Sequence, residues 1–425
     1  MGSSLPGGTS LATGSGGNSG EAAQPHPGAG GPPQSAGRTS VVAADPPAER
    51  RRISGAAVVA ASCGSYDPDL VAKSVAGLLD ALGGTQALLG DGRRVLLKPN
   101  LLTDRAPDAA VTTHPEVVRA LIRQFRSAGA TVVVADSPAN VTKIEQVWDK
   151  TGFSALCREE NVELLNLEKA GAEHVTAGGV TIPVAKPVLE ADLLVNVPKV
   201  KTHVLTTLTG AVKNLYGTVP GFRKAILHKE RHLPRDFAEV VAALYRVIKP
   251  RLSVADGIVG MDGEGPSNGS PCPLGVLMAS TDAAALDIAL CGVMGIPVRN
   301  VPYLAALGCG AVTGQPVRWV GPRPEGMPAA RIPRTPPLHL VPQALVRAVG
   351  TLIWIRPSFG PSCRFCGRCA AACPAGALHQ HPGRLPQLDK SKCISCCCCH
   401  EVCPAQAVSM VPSLLLRLVR GDITS

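Results

Sequence analysis

Between residues 54 and 320 short apolar runs alternate with amphipathic stretches. The runs Ala57–Ala61, Val95–Leu97, Thr131–Ala135, Leu193–Val197, Leu252–Ala255 and Gly275–Met278 are rich in Val and Leu. Runs of this kind read as strands buried on both faces. Pro68–Leu82, Pro115–Ala128, Phe237–Ile248 and Ala283–Met294 carry apolar residues at helical spacing. Strand and helix in alternation predict an α/β fold, a mostly parallel sheet with helices on both faces. Residues 1–53 are Gly-, Ser-, Ala- and Pro-rich with few large apolar side chains, too few to offset the entropy of ordering, so disorder is expected there. Residues 321–360 read as a Pro- and Arg-rich linker with one short apolar helix near Leu345–Ile355. Residues 361–412 form a separate small module, and in the tail 413–425 the stretch Leu414–Arg420 has helical character.

Cysteine usage sets that module apart. The chain has 15 cysteines, and all but Cys63, Cys157, Cys272, Cys291 and Cys309 lie between Cys363 and Cys403. Such crowding indicates metal ligation in a reducing compartment rather than a disulfide framework. The order is Cys363-x2-Cys366-x2-Cys369-x3-Cys373-Pro374, then Cys393-x2-Cys396-x2-Cys399-x3-Cys403-Pro404. This is the bacterial two-cluster ferredoxin spacing given twice, in which the fourth cysteine of each run ligates the other cluster. One [4Fe–4S] cluster then falls to Cys363, Cys366, Cys369 and Cys403, the other to Cys393, Cys396, Cys399 and Cys373. A zinc site or a run of structural cysteines is the alternative. Cys397 and Cys398 are surplus, either swap ligands or bystanders, since only Cys399 gives the three-residue gap to Cys403. The module is thus a small ferredoxin-like α+β domain with two [4Fe–4S] clusters as cofactors.

In open parallel sheets ligands bind beyond the carboxyl ends of strands. Four of the strands above run into polar groups there: Lys98-Pro99-Asn100, Asp136-Ser137-Pro138, Lys199 to His203, and Asp256-Gly257. Lys199, Lys201, His203 and Lys213 bring positive charge to one loop and the helix that follows, with Thr206, Thr209 and Gly210 allowing close approach. The group suits a carboxylate or phosphate; turn residues and a solvated basic loop are the bland alternatives. His114 before Pro115 reads as a helix start, with a place in the same cleft as the alternative, and Gly260–Gly265 lacks a dinucleotide fingerprint.

The segments VLLKPNLL (95–102), TTHPEVV (112–118), ADSP (135–138), NVPKVKTH (196–203), GAVKNLYG (210–217) and ADGIVGMDGEGP (255–266) resemble the DUF362 family, named for a domain of unknown function. Members of that family often carry the same two-cluster tail, and CISCCCCHEVCP (393–404) is similar to it. The family tail usually has Tyr where this chain has Cys397.

A net charge of +10 favours acidic partners or anionic substrates, but the basic residues are dispersed and aromatic residues make up only 3%. Nucleic acid is therefore not expected as a partner, and no run is apolar and long enough for a membrane span. The expectation is a cytoplasmic iron–sulfur redox enzyme. Its α/β domain would hold an anionic small molecule with Lys98, Asn100, Lys199, Lys201 and Lys213. His203 would donate a proton, and Asp136 and Asp256 would orient a base or hold a metal. A redox partner protein would exchange electrons with the clusters. The rival readings are an electron-transfer or scaffold protein whose cleft is filled by side chains, and a non-redox enzyme with structural clusters.

Overall fold

Adjacent residues of one strand here serve two different cores. Val58, Leu96 and Leu194 join one apolar cluster, and their neighbours Val59, Leu97 and Val195 join another. The side-chain period of two, with both faces apolar, is what a sheet covered on both sides requires. The computed structural model describes Ser40–Val41 and residues 56–138, 143–221, 223–309, 317–324, 330–333 and 352–420.

In chain order the framing elements are β1 (Ala57–Ser62), α1 (Pro68–Ala81), β2 (Arg94–Pro99), α2 (Pro115–Ser127), β3 (Thr131–Asp136), β4 (Glu163–Asn166), β5 (Leu193–Val197), β6 (Lys199–His203), β7 (Thr207–Thr209), α3 (Ala211–Asn214), α4 (Arg223–Glu230), α5 (Pro234–Ile248), β8 (Leu252–Asp262), β9 (Ser270–Ser280), α6 (Ala283–Val293) and β10 (Arg318–Val320). The ten strands form one sheet in the order β10-β1-β9-β8-β5-β2-β3-β4, with β6 on β8 and β7 on β6. Most pairings are parallel; β9 runs antiparallel to β8 and β1, and β7 to β6. Helices α1 and α2 supply Val75, Leu79, Leu121 and Phe125 to one core. Helices α5 and α6 supply Phe237, Val241, Leu286 and Leu290 to the other. Both amphipathic starts follow the sequence: Asp67 caps α1 at Leu70 N, and His114 caps α2 through Nδ1 at Glu116 N.

Two expectations are corrected. The strand read as Leu252–Ala255 continues to Asp262, so Asp256 lies mid-strand and not at a strand end. Glycine makes this extension fit: a Cβ on Gly260 would lie 2.7 Å from Leu274 Cδ1 and 2.9 Å from the Val200 carbonyl. The supposed basic loop Lys199–His203 is itself the buried strand β6, because β8 offers it a free edge. Within 1–53, Ser40–Val41 pairs in parallel with Val175–Thr176; the rest of that segment, and most of the helix expected near 345–355, lie outside the described residues.

The C-terminal module begins earlier than the expected boundary at 361. Strand β11 (Ile355–Phe359) pairs antiparallel with β12 (Val408–Pro412), enclosing the short helices α7 (Arg368–Ala371) and α8 (Cys398–Glu401). Helix α9 (Leu414–Arg420) follows as expected. The module is tied to the α/β part through polar contacts. Arg368 Nη1 reaches Asp104 Oδ1 at 2.7 Å, Arg105 Nη1 the Pro404 carbonyl at 2.9 Å, and Ser267 Oγ the Glu401 carbonyl at 2.7 Å.

Candidate functional site

Beyond the carboxyl ends of β2 and β3 lies a cavity of about 110 Å³. Parallel strands bring their ends to one edge, which is why Lys98 and Asp136 meet there. Lys98 Nζ donates to Asp136 Oδ1 at 2.7 Å and to the Pro99 carbonyl at 2.9 Å, and both side chains are buried. Asp136 Oδ2 accepts from Leu101 N at 2.7 Å. A Cβ on Gly217 would lie 2.5 Å from Lys98 Nζ and 2.6 Å from Asp136 Oδ1, so only glycine lets α3 and its continuation approach this pair.

Strand β6 adds Lys201 and His203 to the same cavity. Lys201 Nζ donates to Asn100 Oδ1 at 3.1 Å and to the Val111 carbonyl at 2.6 Å. Burial, reinforced by the charge of Lys213, lowers its pKa to about 7. His203 Nδ1 accepts from the Leu205 and Thr206 amides at 3.0 and 3.4 Å, which puts the proton of the neutral ring on Nε2. That nitrogen faces Glu401 Oε1 at 3.2 Å. Burial and Lys213 push the His203 pKa down to about 3. Burial opposes ionisation of Glu401, but His203 and Lys213 outweigh it and hold the carboxyl below its usual range.

Lys213, on α3, is buried and lies over the rings of Tyr216 and Phe237, 5.5 Å from each centroid. Among the described residues its ammonium has no hydrogen-bond or ion-pair partner, and burial depresses its pKa. From α4, Lys224 donates to the Ser137 carbonyl, to Ser137 Oγ at 2.9 Å and to the Pro138 carbonyl at 3.2 Å. Burial lowers its pKa to about 8. His228, one turn further along α4, also lines the cavity.

The cavity thus gathers Lys98, Asn100, Asp136, Lys201, His203 and Lys213 from the residues singled out in the sequence. Lys199 and Asp256 sit elsewhere. Both are fully buried, paired at 2.9 Å, and bridged by the Tyr66 hydroxyl, which accepts from Lys199 at 2.7 Å and donates to Asp256 at 2.8 Å. The ring of Tyr66 stacks on His114 at 3.6 Å. This is a lock between β6, β8 and the start of α1.

Sequence reasoning missed Lys224, His228, Cys398 and Glu401. The first two recur at i and i+4 on α4, a readable signal. Cys398 and Glu401 come from α8 of the C-terminal module, and nothing in the sequence announces that α8 walls this cavity. The same module frames two smaller cavities. Cys363, Cys366, Cys369 and Cys403 line one; Cys373, Cys393, Cys396 and Cys399, with Cys397, line the other. Among the described residues no three His, Cys, Asp or Glu side chains converge on a single metal-ion position.

A profile of the family described as a domain of unknown function, DUF362, matches residues 95–292. A thylakoid-associated protein of Synechocystis is 35% identical over 245 residues, spanning 57% of this chain and 75% of that protein. The chain belongs to the DUF362 family. The family segment contains every α/β residue that lines the cavity. A lactate racemase apoprotein from Thermoanaerobacterium thermosaccharolyticum aligns over 56% of each chain at 15% identity and a TM-score of 0.38, too distant to bear on chemistry. No helix among the described residues is long and apolar enough to cross a membrane.

Proposed function

We propose that this DUF362 protein is an iron–sulfur redox protein that acts on a small anion held between its two parts. The observation that carries the reading is the shared wall of α8. One short helix presents Cys398 and Glu401 to the lysine-lined cavity and Cys399 to a cavity lined by the four expected ligand cysteines and Cys397. Four sulfurs standing around a cavity, rather than converging on a point, suit a cube of iron and sulfide. Cys363, Cys366, Cys369 and Cys403 would hold one cluster, and Cys373, Cys393, Cys396 and Cys399 the other. When bound, such clusters supply single electrons.

The chain's own residues do the rest. Lys213 and Lys201 attract the anion. The Lys98–Asp136 pair and Asn100 fix the floor of the cavity. Glu401 and His203 face each other at 3.2 Å in the buried wall. The C-terminal module walls one side of the cavity, and the burial of the lining side chains strengthens each charge interaction. A scaffold without a substrate would need this space filled by side chains; the cavity of about 110 Å³ argues against that reading.

Iron and acid-labile sulfide measured on protein purified without oxygen, with electron paramagnetic resonance before and after dithionite, test the proposal. About eight irons and eight sulfides per chain are expected from the doubled motif. Zinc, or a single cube, refutes the two-cluster assignment.

A further inference from the structure

The charges that face the cavity do not balance. Its lining contains four lysines (Lys98, Lys201, Lys213, Lys224) and two carboxylates (Asp136, Glu401). Asp136 is committed to Lys98 at 2.7 Å and Glu401 stands against His203 at 3.2 Å. The hydrogen bonds that Lys201 and Lys224 make go to neutral carbonyl, amide and hydroxyl oxygens, and Lys213 rests on aromatic rings. Three polar atoms of the lining are left over. Thr209 Oγ1, His228 Nδ1 and Glu401 Oε1 line the same cavity, are buried, and have no hydrogen-bond partner among the described residues; the first two can donate to an anion, whereas Glu401 Oε1 can only accept and faces His203 Nε2 at 3.2 Å. Buried polar atoms are normally satisfied, so orphans facing one cavity call for an occupant that bonds to them. The amides that would offer an oxyanion a backbone cradle at the start of α3, those of Ala211 and Val212, are already taken by Asp287 at 2.5 and 3.0 Å. Side-chain cations must therefore do the recognition.

Resting on the reading that the cavity takes an anion, we infer that its occupant is a small dianion, bound by Lys213, Lys201, Thr209 and His228 with uptake of protons. Four cations less two carboxylates leave room for two negative charges. Burial leaves Lys201 and Lys224 with pKa values of about 7 and about 8, so neither is fully charged near neutrality. Lys201 faces Lys213, Glu401, Lys199 and Asp136; Lys224 faces Asp136, Lys98, Glu168 and Lys213. The carboxylates among these are present before binding, so the entering anion is the new charge that draws the protons in.

Isothermal titration calorimetry on the full-length protein, isolated without oxygen, tests this with succinate, sulfate and acetate. It is run at pH 7.5 and 6.5 in two buffers of different ionisation enthalpy. Succinate or sulfate should bind at least tenfold more tightly than acetate. Uptake should be about one proton at pH 7.5 and about a third of that at pH 6.5. The better of the two dianions identifies the charged group as carboxylate or tetrahedral oxyanion. Lys213→Met should weaken dianion binding at least tenfold, Lys213→Arg should restore part of it, and Thr209→Val, which leaves every charge in place, should weaken it several-fold. Acetate binding as tightly as the dianions overturns the two-charge inference and leaves the anion reading intact. Failure of all three to bind, or binding indifferent to Lys213→Met and Thr209→Val, overturns both.

Discussion

Lys199 and Asp256 look like cleft residues in the sequence and act as a structural lock in the fold, and the difference is measurable. Lys199→Met keeps the volume of the side chain and removes its charge. The Asp256 carboxylate then stays fully buried, 2.8 Å from the Tyr66 hydroxyl and 2.9 Å from the His114 amide, with its counter-ion gone. Removing one partner of a buried pair costs about 3–5 kcal/mol, most of it the penalty of the stranded charge. Replacing both partners by apolar residues removes that penalty. The double variant Lys199→Met/Asp256→Leu should therefore cost less than the sum of the singles, with a coupling energy of roughly 2–4 kcal/mol. Denaturant unfolding followed by circular dichroism measures each corner of the cycle. Dianion affinity, measured on the same Lys199→Met protein under native conditions, should stay within about twofold of wild type. Additive singles, or a Lys199→Met variant that is stable but no longer binds, would refute the assignment of this pair to stability.

Three other outcomes follow from the geometry. In the ligand-free protein, unfolded Lys201 would hold its proton up to its ordinary value of 10.5 while the folded residue releases it near about 7. Unfolding therefore takes up a proton in that window and stability rises with pH, by roughly 1.5 kcal/mol between pH 7 and 8.5 for this one group; denaturation curves of Lys201→Met that keep the full wild-type slope would contradict it. Cys397 occupies a left-handed position at φ 63°, where the first cysteine run has Gly367 at φ 72°. Cys397→Gly should stabilise by about 0.5–1 kcal/mol and leave iron content unchanged, and loss of iron would make this thiol a ligand. Asp104 receives both Arg368 at 2.7 Å and Lys150 at 2.9 Å. Asp104→Ala should raise hydrogen exchange in β11, β12 and α8 more than in β2 or β5, and uniform exchange would mean that the salt bridge does not hold the C-terminal module in place.

The division between what was legible and what was not follows the range of the interactions. Strands Leu193–Val197 and Thr131–Asp136 and the helices at Pro68 and Pro115 are written in local periodicity and capping residues, so the alternation alone yields a mostly parallel, doubly covered sheet. The cysteine spacing is equally local, and Lys98 and Asp136 follow from the rule that parallel strands end together. The fate of Lys199–His203 was not local. Those residues carry the charge of a loop, and become a buried strand only because β8 runs on past Ala255, through Gly257 and Gly260, and supplies an edge. Tertiary pairing also split the lysines of β6, giving Lys199 to Asp256 and Tyr66 and leaving Lys201 to the cavity. Above all, the packing of α8 against the sheet edge decided that Glu401 and Cys398 belong to the same site as Lys213. That contact joins residues nearly 200 positions apart, and no pattern within either segment encodes it.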